Sequence, residues 1–476
     1  MVQILSDYYR TPENFLRDIP VATQSGDEGF FHIAPDTVCY GSCTTGVSPK
    51  FENAPDSQAS ADQLSWDPAH VINNIRHERY EKNLTPALER LLFREWSRKA
   101  YYFVRNSLPT TVRRGVQRTY FSTWKKRPFP AWPVDCTVDS IHEKLLQLSM
   151  EASGLRRVPF IWFWPDGAAT CLILTHDVET RVGRSYTSRL MDLDESYYFR
   201  ASFQVIPEER YEVSSAYVRE IRSRGFEFNI HDLNHDGHLY QDRVRFLRRA
   251  RRINRYADQY GAKGFRAGAM YRNLDWYDAY EFSYDMSVPN VAHLDPTRGG
   301  CCTVFPFFVG KILELPLTTS QDYSVFHILD DHSINLWKQQ LELIRRRNGL
   351  ISFLAHPDYL ISLRNRDVYE QLLDYLVEVV SNEKVWHALP GEVDRWWRTR
   401  SKLKLRKRGT NWEIEGQGKE RARIAYAVLE GDHLVYEVPS ATVLDVAGFG
   451  ISGDAANFAL KPSDEDSHGS IQGADN

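Results

Sequence analysis

The sequence predicts an α/β protein built on a parallel sheet or barrel, and three observations carry that expectation. From Val158 onward, short apolar runs alternate with polar segments of helical periodicity, the rhythm of repeated β-α units. The runs are strand-sized and nearly continuous in apolar residues, as strands buried on both faces are. Several of them end abruptly in ionisable residues, and in β/α barrels the strand ends are where an active site lies.

Bulk properties narrow the class. The chain has 476 residues, 42% of them hydrophobic, which suffices for one large core plus accessory pieces. Fifty-nine Lys and Arg against 63 Asp and Glu leave a formal charge of -4, no field that gathers nucleic acid or anionic lipid. The first twenty residues lack a basic stretch followed by an apolar one, and no later segment is long and apolar enough to cross a bilayer. The expectation is therefore a cytoplasmic protein without a membrane span. Six cysteines are too sparse for a disulfide framework. Cys39 and Cys43 sit close enough for a metal pair, with idle thiols the preferred reading, and the adjacent Cys301 and Cys302 are given no chemical role.

Taken in order, residues 1–155 read as a mainly helical accessory region. Proline-punctuated loops there enclose an amphipathic stretch at 87–104, where Leu88, Leu91, Leu92 and Trp96 recur near helical spacing. The strand candidates are 169–174, 201–206, 226–230, a short run at Phe265, 312–315 and 350–355. Helices are expected at 214–223, 242–260, 334–347 and 367–380, the first three followed by Gly225, Gly261 and Gly349 as stop signals. The Arg-dense helix at 242–260 carries Val244, Leu247, Ile253 and Tyr256 as an apolar side, so its arginines read as a solvated face. Beyond Trp396 and Trp397 a basic linker at 398–408 precedes strands at 411–414, 423–429 and 433–438, the last two around a Gly431-Asp432 turn. These form a small β appendage over 401–450, and the polar residues 451–476 are expected to be a disordered tail.

Four segments carry chemistry. CLILTHDVET ends a strand in His176, Asp177 and Glu179; taken alone, Asp177 reads equally as the cap of the next helix. FEFNIHDLNHDGHLY ends another in His231 and His235, one helical turn apart, with His238 beyond. Three of the protein's 15 histidines fall within these eight residues, which favours ligation over solvated loop imidazoles. Two imidazoles with Glu179 or Asp177 make a three-ligand site for a borderline cation such as zinc, with room for water. LISFLAHPDYL ends in His356, placed to donate a proton to a leaving amine or to cap a helix with Asp358. GFRAGAMYRN sets Arg266 among small residues, to orient a carboxylate or to make a surface ion pair.

In this order the motifs resemble the polysaccharide deacetylase family, the NodB-homology or carbohydrate esterase family 4 group, over about residues 156–400. The resemblance implies a distorted TIM-like (β/α) barrel and a metal-dependent amidohydrolase that removes an N-acyl group, acetyl foremost, from an amino sugar or glycan. The family's Thr-Phe-Asp-Asp is similar to Thr175-His176-Asp177-Val178-Glu179, which implies Asp177 as base and Glu179 as metal ligand, roles that the intervening Val178 leaves exchangeable. Its His-Ser/Thr-x-x-His resembles His231-Asp232-Leu233-Asn234-His235 and implies both histidines as ligands. Arg266-Ala267-Gly268 resembles its Arg-x-Pro motif without the proline, and implies that Arg266 holds the base. Leu354-Ala355-His356 resembles Leu-x-His and implies His356 as general acid, with Asp322 as the aspartate that tunes it. Tyr284-Asp285 with Ser287 resembles the family's Tyr-Asp-Ser turn. The implied cofactor is a divalent metal, zinc first, with cobalt, manganese or nickel as alternatives, and the implied partner is an N-acylated sugar or small amide. Hydrolysis of a formyl or cyclic ureide amide, and a non-catalytic glycan-binding relative, are the rival readings; a further rival makes residues 1–150 a partner-binding module, and the oligomeric state stays open.

Overall fold

The computed structural model describes residues 1–439 except 13, 14, 25, 58, 59, 85–123 and 432. The helix expected at 87–104, Asp432 of the expected turn and the tail from 451 lie outside the described residues. In chain order, α1 (Val2–Tyr9) precedes a hairpin of β1 (Gly29–Ala34) and β2 (Thr37–Gly41), followed by α2 (Pro68–Arg76) and α3 (Thr137–Ala152). α2 starts where Asp67 accepts the N–H groups of Ala69 and His70 and Pro68 takes the first helical position. α3 buries Ile141, Leu145 and Leu148 on one face.

His142 on α3 is also buried: its ring stacks on Tyr8 at 3.9 Å and its Nδ1 lies 2.7 Å from the Val138 carbonyl. Burial, with the nearby charge of Arg76, lowers its pKa from 6.5 to about 3. The unfolded chain therefore binds the extra proton between those values, so stability falls as pH drops through that window. We expect a loss of about 2 kcal/mol from this group between pH 7 and pH 5, read as a smaller drop in denaturation free energy for His142→Asn than for the parent.

The central sheet begins after β3 (Arg157–Ile161). Its strands are β4 (Thr170–Val178), β5 (Ala201–Val205), β6 (Glu227–His231), β7 (Gly264–Arg266), β8 (Tyr284–Asp285), β9 (Phe307–Val309), β10 (Ile312–Glu314), β11 (Leu350–Ala355) and β12 (Val385–His387). They order β11-β4-β5-β6-β7-β8-β10-β9, with β12 beside the first residues of β4. All neighbours are parallel except the antiparallel pair of β9 and β10. The path does not return from β9 to β11, so the sheet is a curled half-barrel open at that seam. Every residue of β4 is buried, as expected of a parallel strand covered on both faces.

Helices α4 (Arg181–Ser196), α5 (Ser215–Ser223), α6 (Arg243–Tyr260), α7 (Asn335–Arg346), α8 (Leu363–Asn382) and α9 (Pro390–Arg400) cover the sheet. Asp242 caps α6 through the N–H of Arg245, and Gly261 ends it in the left-handed region at φ 63°. Its arginines are less idle than expected: Arg249 pairs with Asp236 and Arg252 with Glu208. Val244 does not belong to the apolar side of α6; it is 80% exposed, and Phe246, Ala250, Ile253 and Ala257 face the core.

The basic linker expected at 398–408 is not a linker. Arg398–Arg400 finish α9, and β13 (Lys404–Arg408) pairs with β14 (Asn411–Glu415). Cross-strand carboxylates explain the tolerance for so many cations, since Arg408 lies 3.0 Å from Glu413 and Arg406 3.4 Å from Glu415. β15 (Ile424–Glu430) joins β16 (His433–Glu437) on one side and β3 on the other.

Candidate active site

Alternation along β4 decides which of its terminal residues meet. Asp177 and Glu179 project to one side; His176 projects to the other, where its Nδ1 meets the Ala355 carbonyl at 3.1 Å and its Nε2 meets Asp194 at 3.0 Å. His176 is thus a buried tie between β4, β11 and α4, outside the site. At the end of β6 the chain turns sharply: Asp232 and His235 both take positive φ, 55° and 53°, and this turn brings the rings of His231 and His235 to 5.0 Å.

The ligating atoms of Glu179, His231 and His235 all lie within 4.8 Å of one another. Glu179 Oε1 is 2.9 Å from His235 Nε2 and 3.8 Å from His231 Nε2. His231 Nδ1 faces the Arg266 carbonyl at 3.1 Å, which can only accept, so the proton sits on Nδ1 and Nε2 presents a lone pair. Among the described residues, the buried Nε2 of both histidines faces only the Glu179 and Asp177 carboxylates. Two imidazole nitrogens turned toward one carboxylate fit a divalent cation of the zinc type. Burial works against the Glu179 charge, yet His235, His231 and His356 outweigh it and hold its pKa well below the usual carboxylate range. Burial likewise opposes the charge on His235, and Glu179 raises its pKa nonetheless.

Two further groups flank this cluster. Asp177 Oδ1 accepts Arg266 Nη1 at 2.9 Å, while Asp177 Oδ2 lies 3.7 Å from His231 Nε2. Arg266 is fully buried and is fixed by the Met286 carbonyl and the Thr175 hydroxyl, each at 2.9 Å. Burial would raise the Asp177 pKa, but Arg266, then His231 and His356, hold it below the ordinary carboxylate value. On the opposite side, His356 at the end of β11 has Nδ1 2.6 Å from Asp322 Oδ1, and its backbone N–H donates to Asp322 Oδ2 at 2.7 Å. Its Nε2 stands 3.6 Å from Glu179 Oε1. Against burial, Asp322 and then Glu179 raise the His356 pKa well above 6.5.

All the sequence-expected site residues, Asp177, Glu179, His231, His235, Arg266, His356 and Asp322, therefore meet at the C-terminal ends of β4, β6, β7 and β11. Ser287 and Asp285 stand behind Arg266: Ser287 Oγ accepts the Ala267 N–H and donates to Asp285, both at 2.8 Å. Asp358 lies at the start of α4 instead, accepting the Thr180 hydroxyl. Of the cysteines, Cys43 is enclosed by the hydroxyls of Thr45, Ser57 and Ser65.

Two supports gain their roles only from the folded turn. Arg210 donates to the carbonyls of Asn234 and His235, at 3.0 and 2.6 Å, and so holds the ligand turn. Gly268 packs so closely that a Cβ there would stand 2.5 Å from Asp232 Oδ2 and 2.8 Å from His235 Cδ2. Gly268→Ala must displace the His235 ring, and we expect metal affinity to fall by about 10–100-fold, measured by chelator competition. Unchanged affinity with unchanged melting temperature would show that the turn yields freely.

No protein-family model and no curated relative matches the chain. Among solved structures it is similar to a protein from Mycobacterium smegmatis assigned as a polysaccharide deacetylase, at 18% identity and TM-score 0.40, over 53% of this chain and 98% of that one. Polysaccharide deacetylases recur among the structures it resembles. It is also similar to the allantoinase PuuE, at 12% identity and TM-score 0.39, over 49% of this chain and 92% of the other. A family 4 acetyl xylan esterase from Clostridium thermocellum, in complex with a cobalt ion, matches at 13% identity and TM-score 0.30, over 48% and 91% of the two chains. Among the described residues, no helix is long and apolar enough to cross a membrane.

Proposed function

We propose that this chain is a divergent polysaccharide deacetylase, a metal-dependent hydrolase that removes an N-acyl group, acetyl foremost, from an amino sugar or glycan. The observation that supports this reading is the meeting of Glu179, His231 and His235 between a carboxylate held by Arg266 and an imidazole held by Asp322. A divalent cation on Glu179, His231 and His235 would acidify water and polarise the acyl carbonyl. Glu179 is the ligand and Asp177 the base, because Asp177 already spends one oxygen on Arg266.

Asp177 accepts the proton of the attacking water on Oδ2, and Arg266 keeps the carboxylate anionic and oriented for that transfer. His356, kept protonated by Asp322, delivers a proton from Nε2 to the departing amine. Water and amide are consumed; a free amine and a carboxylic acid result. The burial that surrounds Asp177 and His356 strengthens each of these charge interactions relative to water.

The test pairs elemental analysis of the purified protein with assays of acetate and formate release from N-acetylated and N-formylated amino sugars and from simple amides. The expected result is one divalent ion per chain and acid release from an acylated sugar. Bound metal without release from any member of that set would favour the non-catalytic glycan-binding reading, and release from amides alone would favour the ureide-type one.

A further inference from the structure

A cavity of about 580 Å³ lies among α1, α2, α3 and the last turn of α9. It reaches the turn at Gly310 that enters β10, so it opens at the opposite end of the parallel strands from Glu179. Its wall contains three guanidinium groups, those of Arg10, Arg76 and Arg400, and among the described lining residues the one acid is Asp7.

The arginines are held in place more than they are neutralised. Arg400 donates Nε and Nη2 to the carbonyls of Trp162, Ile161, Tyr8 and Tyr9 and is otherwise packed on Phe163 and Trp397. Arg10 reaches the Leu403 carbonyl at 3.2 Å and Asp7 at 3.5 Å. Arg76 sits 4.8 Å over the Phe307 ring; it makes no ion pair among the described residues, and its Nε is buried without a hydrogen-bond partner. Asp139, an acid behind the wall, spends its carboxylate on the Thr303 hydroxyl and the Val304 N–H, at 2.6 and 3.0 Å. Arg10 pairs with Asp7, whereas Arg76 and Arg400 make no ion pair among the described residues; with the Asp139 charge behind the wall, a net positive charge still faces the cavity, in surroundings where an unpaired charge is costly.

We propose that this cavity is a binding site for a phosphoryl dianion, with Arg76 its principal contact. The net positive charge of the wall suits an anionic phosphate monoester, and guanidinium forks match phosphate oxygens in geometry. The volume leaves space beyond a phosphate group for an attached organic body, and the rings of Tyr8 and Trp397 line it. Burial lowers the Arg400 pKa to about 9, with the charge of Arg10 adding to the effect, and a bound dianion relieves both.

Calorimetric titration of the metal-loaded full chain with inorganic phosphate, glycerol 3-phosphate and acetate tests the site. One equivalent of phosphate or phosphoester is expected to bind, acetate far more weakly, and the phosphoester in preference to free phosphate if the organic body is recognised. Arg76→Gln is expected to weaken binding about tenfold or more. Asp7→Asn, at an exposed position, is expected to tighten it about threefold. The double variant His231→Ala with His235→Ala must retain it. Absence of binding by either phosphate compound, equal binding of acetate, or no tightening in Asp7→Asn would overturn the proposal. So would loss of binding in the double histidine variant, which would place the phosphate on the catalytic metal.

Discussion

Asp177→Asn is expected to lower kcat by about 10³-fold while one metal ion per chain remains bound. The amide cannot take a proton from water, yet Glu179, His231 and His235 keep their lone pairs. The same substitution leaves Arg266 buried at 0% exposure without its counter-ion, so a stability loss of about 3–5 kcal/mol should accompany the kinetic one. Measuring kcat, metal content and melting temperature on one preparation separates the effects. Retained turnover would remove Asp177 from the role of base, and loss of the ion together with activity would make it a ligand instead.

The second large effect belongs to the imidazoles. His231→Ala together with His235→Ala removes two of three ligand atoms, and a lone carboxylate does not hold zinc-type ions at trace concentration. We expect metal content to drop to background and acid release to fall to that of a metal-stripped parent. Adding zinc, cobalt or manganese should restore the stripped parent but not the variant. An ion retained at one per chain in the variant would mean that the cation binds elsewhere.

The strands were legible where burial is one-sided in kind. β4 and β11 contain runs of successive apolar residues, and in β5 and β6 Phe203, Val205, Phe228 and Ile230 alternate with polar residues that are themselves enclosed. α4 escaped notice because RVGRSYTSRLMDLDES is mostly polar; it holds to the sheet through Tyr186, Leu190 and Met191, and through Asp194 bonded to His176 and Tyr369. Val244 falls outside the apolar side because Phe246 and Ala250, which face the core, set the phase of α6 from its first turn.

Within the site, His231 and His356 are legible because each ends a strand, and His235 because it stands one helical turn beyond His231. Asp322 lies 34 residues before His356, and only resemblance connected the two. Arg210 carries no signal in the sequence, and Gly268 is marked only through the Arg266-Ala267-Gly268 motif; their roles depend on the path of the turn through Asp232 and His235, which no residue spacing encodes.

The pairing of β3 with β15 sets Val158 against Ala427 and Phe160 against Ala425, and the Tyr9 and Tyr436 hydroxyls meet at 2.7 Å. The earliest and the latest described stretches of the polypeptide thus share one seam. On the ribosome, β3 and Tyr9 of α1 must wait until β15 and β16 have been translated before these partners emerge, and the half-barrel can be assembled well before its flank is sealed. A nascent chain stalled near residue 400 would carry the catalytic residues complete and the edge of β3 bare, a species that chaperones, or a neighbouring chain's free strand, would meet first.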